Sequence, residues 1–266
     1  MDEKFLRVLM VGDIVGRPGR KAAVGLLKNY RKKYALDIII ANGENAAGGN
    51  GLNKGCAEEL YNAGVDIITM GNHTWDKKEI LEFIDHDPTL VRPANYPPDT
   101  PGRGSIIYSI GKVKLAVMNL SGRVFLQPLD CPFRAADMLL EQISKETRLI
   151  LVDFHAEATS EKIAFGWYMD GRVSAVVGTH THVQTADERI LPQGTAYITD
   201  VGMTGPRDSV LGIDKDLVIK KFISQMPARF EVAAGVVQFN GIILDICRTT
   251  GKTLRIEKLN DLFQLE

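Results

Sequence analysis

The chain has 266 residues, of which 45% are hydrophobic and 24% charged, and its formal net charge is −1; these values suit one large α/β domain or two small ones. A balance this close to neutral argues against a large electropositive face, and the richest basic stretch, Arg31-Lys32-Lys33, falls at a helix end that favours cations. Nowhere do 18 apolar residues run together, and Met1-Asp2-Glu3-Lys4 is too short and acidic for a signal peptide, so a membrane association is not expected.

The first half alternates between strand-like and helix-like patterns. Leu6 to Val11 is a nearly continuous apolar run, as for a strand buried on both faces. Ala23, Leu27, Tyr30 and Tyr34 then recur at helical spacing over 19–34. Ile38 to Ala41 reads as the second strand, and 53–63 as the second helix, closed by Gly64. Asp66 to Met70 is the third strand and Lys77 to Ile84 the third helix. Such an alternation predicts a parallel sheet with right-handed crossovers.

Pro88 to Gly104 holds five prolines and two glycines and reads as an irregular excursion. Gly111-Lys112 separates a predicted hairpin of 105–110 and 113–120. A helix near 133–144, a strand 149–154, a helix 160–169 and a strand 174–177 follow. The tail adds strands near 196–199, 235–240, 242–248 and 253–259 and a helix around 215–225, with turns at Asn240-Gly241 and Thr250-Gly251. No repeat or long linker appears, so residues 1–266 are read as a single domain of two packed sheets with helices outside. Cys56, Cys131 and Cys247 form no CxxC pair and read as reduced, buried thiols, which points to the cytoplasm.

The chemistry lies where the strands end. The first ends in Gly12-Asp13, the second in Gly43-Glu44-Asn45 and the third in Gly71-Asn72-His73. Two more end in Asp153-Phe154-His155-Ala156-Glu157 and Gly178-Thr179-His180-Thr181-His182. Open α/β sheets bind ligands at their carboxyl edge. Four of the five histidines in the chain fall in these loops, and only His86 reads as a solvated or capping residue. Each motif alone has an ordinary reading: Asp13 as a turn or cap residue, His180 and His182 as a hydrogen-bonded pair, the glycines of 43–51 as a tight turn. Their conjunction argues for a metal site. The donors exceed the three of a typical catalytic zinc and suit two ions about 3.5–4 Å apart. No thiolate is among them, which favours Mn, Fe or Zn.

These blocks resemble those of calcineurin-like metallophosphoesterases. Gly12-Asp13-Ile14-Val15-Gly16, Asn42-Gly43-Glu44-Asn45, Gly71-Asn72-His73-Thr74-Trp75, Asp153 to Glu157 and Asp200-Val201-Gly202-Met203-Thr204-Gly205 resemble the YmdB-like phosphodiesterase branch in particular. The resemblance implies an α/β/β/α sandwich with a dinuclear centre, iron first and manganese or zinc as alternatives. It also implies that Asp13, Glu44, Asn45 and His182 hold one ion, Glu44 bridging, and that Asn72, His155 and His180 complete the second. His73 is left off the metals as proton donor to the leaving oxygen. The usual Asp-x-His of the superfamily is here Asp13-Ile14-Val15, and Glu44 replaces the bridging Asp; the YmdB-like branch shares both departures. The implied substrates are small phosphodiesters, notably cyclic nucleotides such as 2′,3′-cyclic AMP, attacked by water activated between the ions. Asp76 is weighed as a residue that orients His73 and read instead as an exposed helix-start acid. No stable nucleic-acid binding is expected, and a homo-oligomer is left open. Two rival readings stand beside this one: a metal-dependent hydrolase of another bond, and a metal-holding regulatory or scaffold protein with little turnover.

Overall fold

A computed structural model describes residues 4–264. In chain order the elements are β1 (Phe5–Val11), β2 (Asp13–Ile14), α1 (Gly16–Lys33), β3 (Ile38–Asn42), α2 (Lys54–Ala63), β4 (Ile67–Thr69) and β5 (Leu90–Val91). The hairpin β6 (Ser105–Ile110) and β7 (Val113–Ser121) follows, then α3 (Pro132–Ile143), β8 (Ile150–His155), α4 (Thr159–Met169) and β9 (Ala175–Thr179). The remainder comprises β10 (Arg189–Ile190), β11 (Ala196–Ile198), β12 (Met203–Pro206), α5 (Lys215–Ser224), β13 (Val237–Cys247) and β14 (Thr253–Phe263).

The apolar run of β1 is continuous because the strand has two buried faces. Leu6, Val8 and Met10 point between the sheets, where they meet Leu115, Val117, Leu151 and Val177 of the second sheet. Leu9 and Val11 point the other way, onto Ala23 and Leu27 of α1 and Leu60 of α2. The second sheet repeats the arrangement, packing Met118, Val152 and Val176 on its outer face against Leu140 of α3 and Phe165 of α4. The result is helix, sheet, sheet, helix, with three apolar layers between them.

One sheet runs β2-β12-β13-β1-β3-β4-β5 with β14 on β13, and the other runs β10-β11-β9-β8-β7-β6. Strands β1, β3, β4 and β5 are mutually parallel, as are β7, β8, β9 and β11. Parallel pairing carries all their carboxyl ends to one edge of each sheet.

The structure corrects several expectations. Residues 77–84 form only a short 3₁₀ turn, Lys78–Glu82, and the proline-rich excursion contributes β5 beside β4. Asn240-Gly241 is no turn: β13 runs unbroken, with Gly241 facing Val11 on one side and Leu259 on the other. A Cβ at Gly241 would lie 3.0 Å from the Met10 carbonyl oxygen, so glycine serves close packing there. Strands β2, β10 and β12 were absent from the sequence expectation. Of the thiols, all free, only Cys56 is buried. The fold also gathers seven cations, Lys112, Lys114, Lys145, Arg148, Arg172, Arg248 and Lys252, around two adjoining clefts at the pole opposite the carboxyl ends. That local basic face is invisible in the near-neutral total, because its members come from separate segments of the chain.

Candidate metal centre

Each candidate donor is seated by the element before it. Gly12 carries the chain from β1 into β2, where Asp13 pairs with Met203 of β12 and is fully buried. A Cβ on Gly12 would overlap the Gly202 carbonyl, so the close approach of β2 and β12 requires glycine. Glu44 and Asn45 turn off the end of β3, where the Glu44 N–H donates to Asn42 Oδ1 at 3.1 Å. Asn72 and His73 follow β4, and His155 is the last residue of β8. His180 and His182 follow β9 with left-handed backbones, φ 100° and 64°. Such backbones are uncommon outside glycine and often mark functional turns.

The structure brings four of these side chains to one point. His155 Nε2 lies 2.9 Å from Asn72 Oδ1, 3.0 Å from His180 Nδ1 and 2.9 Å from Glu44 Oε1. A ring nitrogen has at most one hydrogen to share among three acceptors. The atoms of Glu44, His155 and His180 form a metal-binding group.

A second set adjoins it. His182 Nε2 stands 3.7 Å from Asp13 Oδ1, and Asp13 Oδ2 accepts the His180 N–H at 3.2 Å. Asn45 spends its amide N–H on the Gly49 carbonyl at 3.0 Å, so its oxygen is left over. Asp13 Oδ1 and Asn45 Oδ1 are buried without a hydrogen-bond partner, and Glu44 Oε1 meets only His155 Nε2. Buried acceptors are rarely left unpaired. Two orphaned oxygens and the surplus of acceptors around His155 fit divalent cations, whose bonds to them would replace the missing hydrogen bonds.

The carboxylates concentrate negative charge at this point. Burial pushes the Asp13 carboxyl up, against the pull of His182 and His155. Burial would raise Glu44 as well, but the charges of His155 and His73 and the His73 N–H outweigh it and hold this carboxyl at about 2. Burial opposes charge on His155, yet the carboxylates of Glu44, Asp13 and Asp153 lift it to about 9. His180, desolvated and beside His155, is pushed down to about 3, which leaves its ring neutral.

A surrounding layer fixes the rings. His155 Nδ1 lies 2.9 Å from Thr179 Oγ1, whose single hydrogen goes to Asp153 Oδ1 at 2.7 Å. Thr179 therefore accepts from Nδ1–H, which turns Nε2 into the site, where a bound cation would take the place of its proton. The Leu211 carbonyl, 3.0 Å from His182 Nδ1, does the same for His182. Asp200, fully buried, accepts from Lys162 Nζ at 2.7 Å and from the N–H and hydroxyl of Thr181 at 3.0 and 2.8 Å. This buried ion pair anchors the loop that carries His180 and His182.

His73 stands apart from the donor clusters. Its backbone N–H donates to Glu44 Oε2 at 2.9 Å, while its ring lies on Asp76 Oδ2 at 2.8 Å. The ring lines a pocket of about 240 Å³ with Glu44, Asn45, Glu157, His180, His182 and Leu211. The reading of Asp76 as a helix-start acid is thus corrected, since no α-helix forms there and its carboxylate holds His73. Gly71, just before this turn, has no room for a side chain: a Cβ would press on Glu44 Oε2 and the His155 ring. His86 lies exposed, away from the site.

Sequence reasoning missed Lys162 and Leu211, and it quoted Thr179 and Glu157 in motifs without giving them a role. Asp200 stood in a quoted motif without a role. Lys162 gives no signal at all, since a lysine in a helical stretch reads as solvated.

Comparison with known proteins places this geometry. Residues 9–259 match the model of a family described as YmdB-like protein. The chain is 55% identical over 254 residues to a 2′,3′-cyclic-nucleotide 2′-phosphodiesterase of Bacillus subtilis (strain 168), covering 96% of each. It superposes with a TM-score of 0.91 on a hypothetical protein from Thermus thermophilus, at 43% identity over 97% of this chain and 99% of that one. A novel phosphatase of Mycoplasma pneumoniae gives a TM-score of 0.92 at 37% identity, covering 98% and 94%.

Proposed function

Since this chain belongs to the YmdB-like protein family, we propose that its carboxyl-edge pocket hydrolyses small phosphodiesters, 2′,3′-cyclic nucleotides first among them. The chain is an enzyme of the phosphodiesterase type, as its 55% identity over 96% of its length to a relative of that name supports. The observation that carries the reading is the convergence of Glu44, Asn72, His155 and His180 beside the orphaned oxygens of Asp13 and Asn45. No nucleophilic Ser or Cys lines this pocket.

Two divalent transition metals are proposed, iron first and manganese or zinc as alternatives. Asp13, Glu44, Asn45 and His182 would hold one, and Glu44, Asn72, His155 and His180 the other. Bound there, the ions would supply an activated water and positive charge against the phosphoryl oxygens. Everything else falls to the chain. Thr179 and the Leu211 carbonyl hold His155 and His182 in one tautomer each, and Lys162 with Asp200 fixes the loop between them. His73 sits at the pocket wall, outside both donor sets, where its ring can give a proton to a departing alkoxide. Asp76 on its other nitrogen keeps the proton-bearing edge turned to the pocket and steadies the charged ring. The free thiols support the cytoplasm as the proposed location.

The test is turnover of cyclic and linear phosphodiesters, with amides as control, by protein whose metal content has been measured. Metal-loaded protein that cleaves no phosphodiester would overturn the assignment.

A further inference from the structure

The pocket onto which Glu44, Asn45, His180 and His182 open is polar on every side but one. Its lining is Glu44, Asn45, His73, Glu157, His180, Thr181 and His182, and the single apolar member is Leu211. Leu211 also lines a second cavity, of about 380 Å³, whose wall is mostly apolar, with Phe222 and Phe230 the aromatic members and Lys221 and Gln225 the polar ones. The two spaces therefore share one residue.

The backbone of that residue is fixed at the edge of both spaces. Leu211 has a left-handed backbone, φ 55°, which is strained for a branched residue. The same residue's carbonyl receives His182 Nδ1. Phe222 and Phe230 are 74% and 42% exposed, and Lys221 Nζ lies 4.7 Å over the Phe230 ring. Neither ring is buried in the core: Phe222 is open at the second cavity, and Phe230 has one face under that ammonium.

A nucleoside cyclic phosphate has the matching division: a charged phosphodiester at one end and a flat, weakly polar base at the other. Ligand sites generally combine an apolar wall with a few directed polar groups, and bases stack readily on aromatic side chains. We propose that the cavity of Leu211, Phe222 and Phe230 is the nucleobase subsite, a specificity-determining surface that seats the base while the phosphodiester lies among the donors. The inference rests on the phosphodiesterase reading and names the part of the substrate that reading leaves unassigned.

The test compares two substrates, 2′,3′-cyclic AMP and the 2,3-cyclic phosphate of methyl riboside, which has no base. The kcat/KM ratio of the first to the second measures recognition of the base alone. In the double variant Phe222→Ala/Phe230→Ala that ratio should fall about tenfold, mainly through KM for the nucleotide. The double variant Phe222→Tyr/Phe230→Tyr keeps both rings and should keep the wild-type ratio. An unchanged ratio in the alanine variant would overturn the subsite. So would an alanine variant that sediments as a smaller species and loses both activities alike, since the face would then belong to a second copy of the chain. Wild-type protein that cleaves both substrates equally well would overturn the subsite while leaving the phosphodiesterase reading intact; cleavage of neither would remove both.

Discussion

His73 Nδ1 lies 2.8 Å from Asp76 Oδ2, within one tight turn, and the same carboxylate oxygen accepts Asn50 Nδ2 at 2.9 Å. A histidine held this way can donate from its other nitrogen without touching a metal. On the proposed reading the turn separates acid chemistry from metal binding, with Asn72, one residue earlier, facing the donor cluster.

His73→Ala should therefore keep its metals while turnover falls. General acid catalysis contributes on the order of 10²–10⁴-fold, and the loss should lie in that range for a ribose cyclic phosphate. A nitrophenyl diester, whose leaving group needs little protonation, should lose far less. Asp76→Asn should show the same substrate dependence with a smaller loss. Turnover of both substrates by metal-quantified proteins decides it; a uniform loss with a missing metal would make His73 a ligand.

Glu44 is 1% exposed and has one oxygen on the His73 N–H and the other on the metal-binding group. Glu44→Gln keeps the size but removes the charge, so metal occupancy and activity should fall together. His86→Ala, on an exposed loop, should change neither. Elemental analysis beside turnover is the check, and equal effects from the two substitutions would contradict the assignment.

Purified protein should carry close to two transition-metal ions per chain, and chelation should abolish turnover. One tightly held ion with no second site, by elemental analysis, would remove the dinuclear arrangement.

Thr179→Val keeps the shape of the side chain but loses the acceptor for His155 Nδ1–H and the donor to Asp153. Removing such an outer partner typically lowers metal affinity about 10–100-fold. Competition with a chelator should show this weakening at a melting temperature that drops only modestly, whereas an unchanged affinity would mean that His155 is oriented by packing alone.

Lys162 and Asp200 are 1% and 0% exposed, so Lys162→Met should leave a buried carboxylate unpaired. Breaking a buried pair from one side costs about 3–5 kcal/mol. Thermal melts should show a large loss for Lys162→Met and a smaller one for Lys162→Met/Asp200→Asn. If the single variant melts like the wild type, the pair does not anchor the loop of His180 and His182.

The sequence alone determined the layered architecture and the address of the site. Strands buried on both faces must be apolar throughout, so β1, β3 and β8 stood out as runs, and parallel pairing sends the residue after each run to one edge. Asp13, Glu44, Asn72, His155 and His180 were therefore legible from position and residue type. What only the tertiary structure decided is how those groups divide and what steadies them. Gly241 looked like a turn because a single strand has no way to announce a neighbour pressing on its backbone. Lys162 reaches Asp200 across 38 residues and Thr179 reaches Asp153 across 26, contacts set by how α4 lies against the end of β11 and how β9 lies beside β8. Hydrogen-bond direction belongs to the same class: which nitrogen of His155 or His182 faces the site depends on a hydroxyl and a carbonyl brought in by other segments, and no local pattern of residues encodes it.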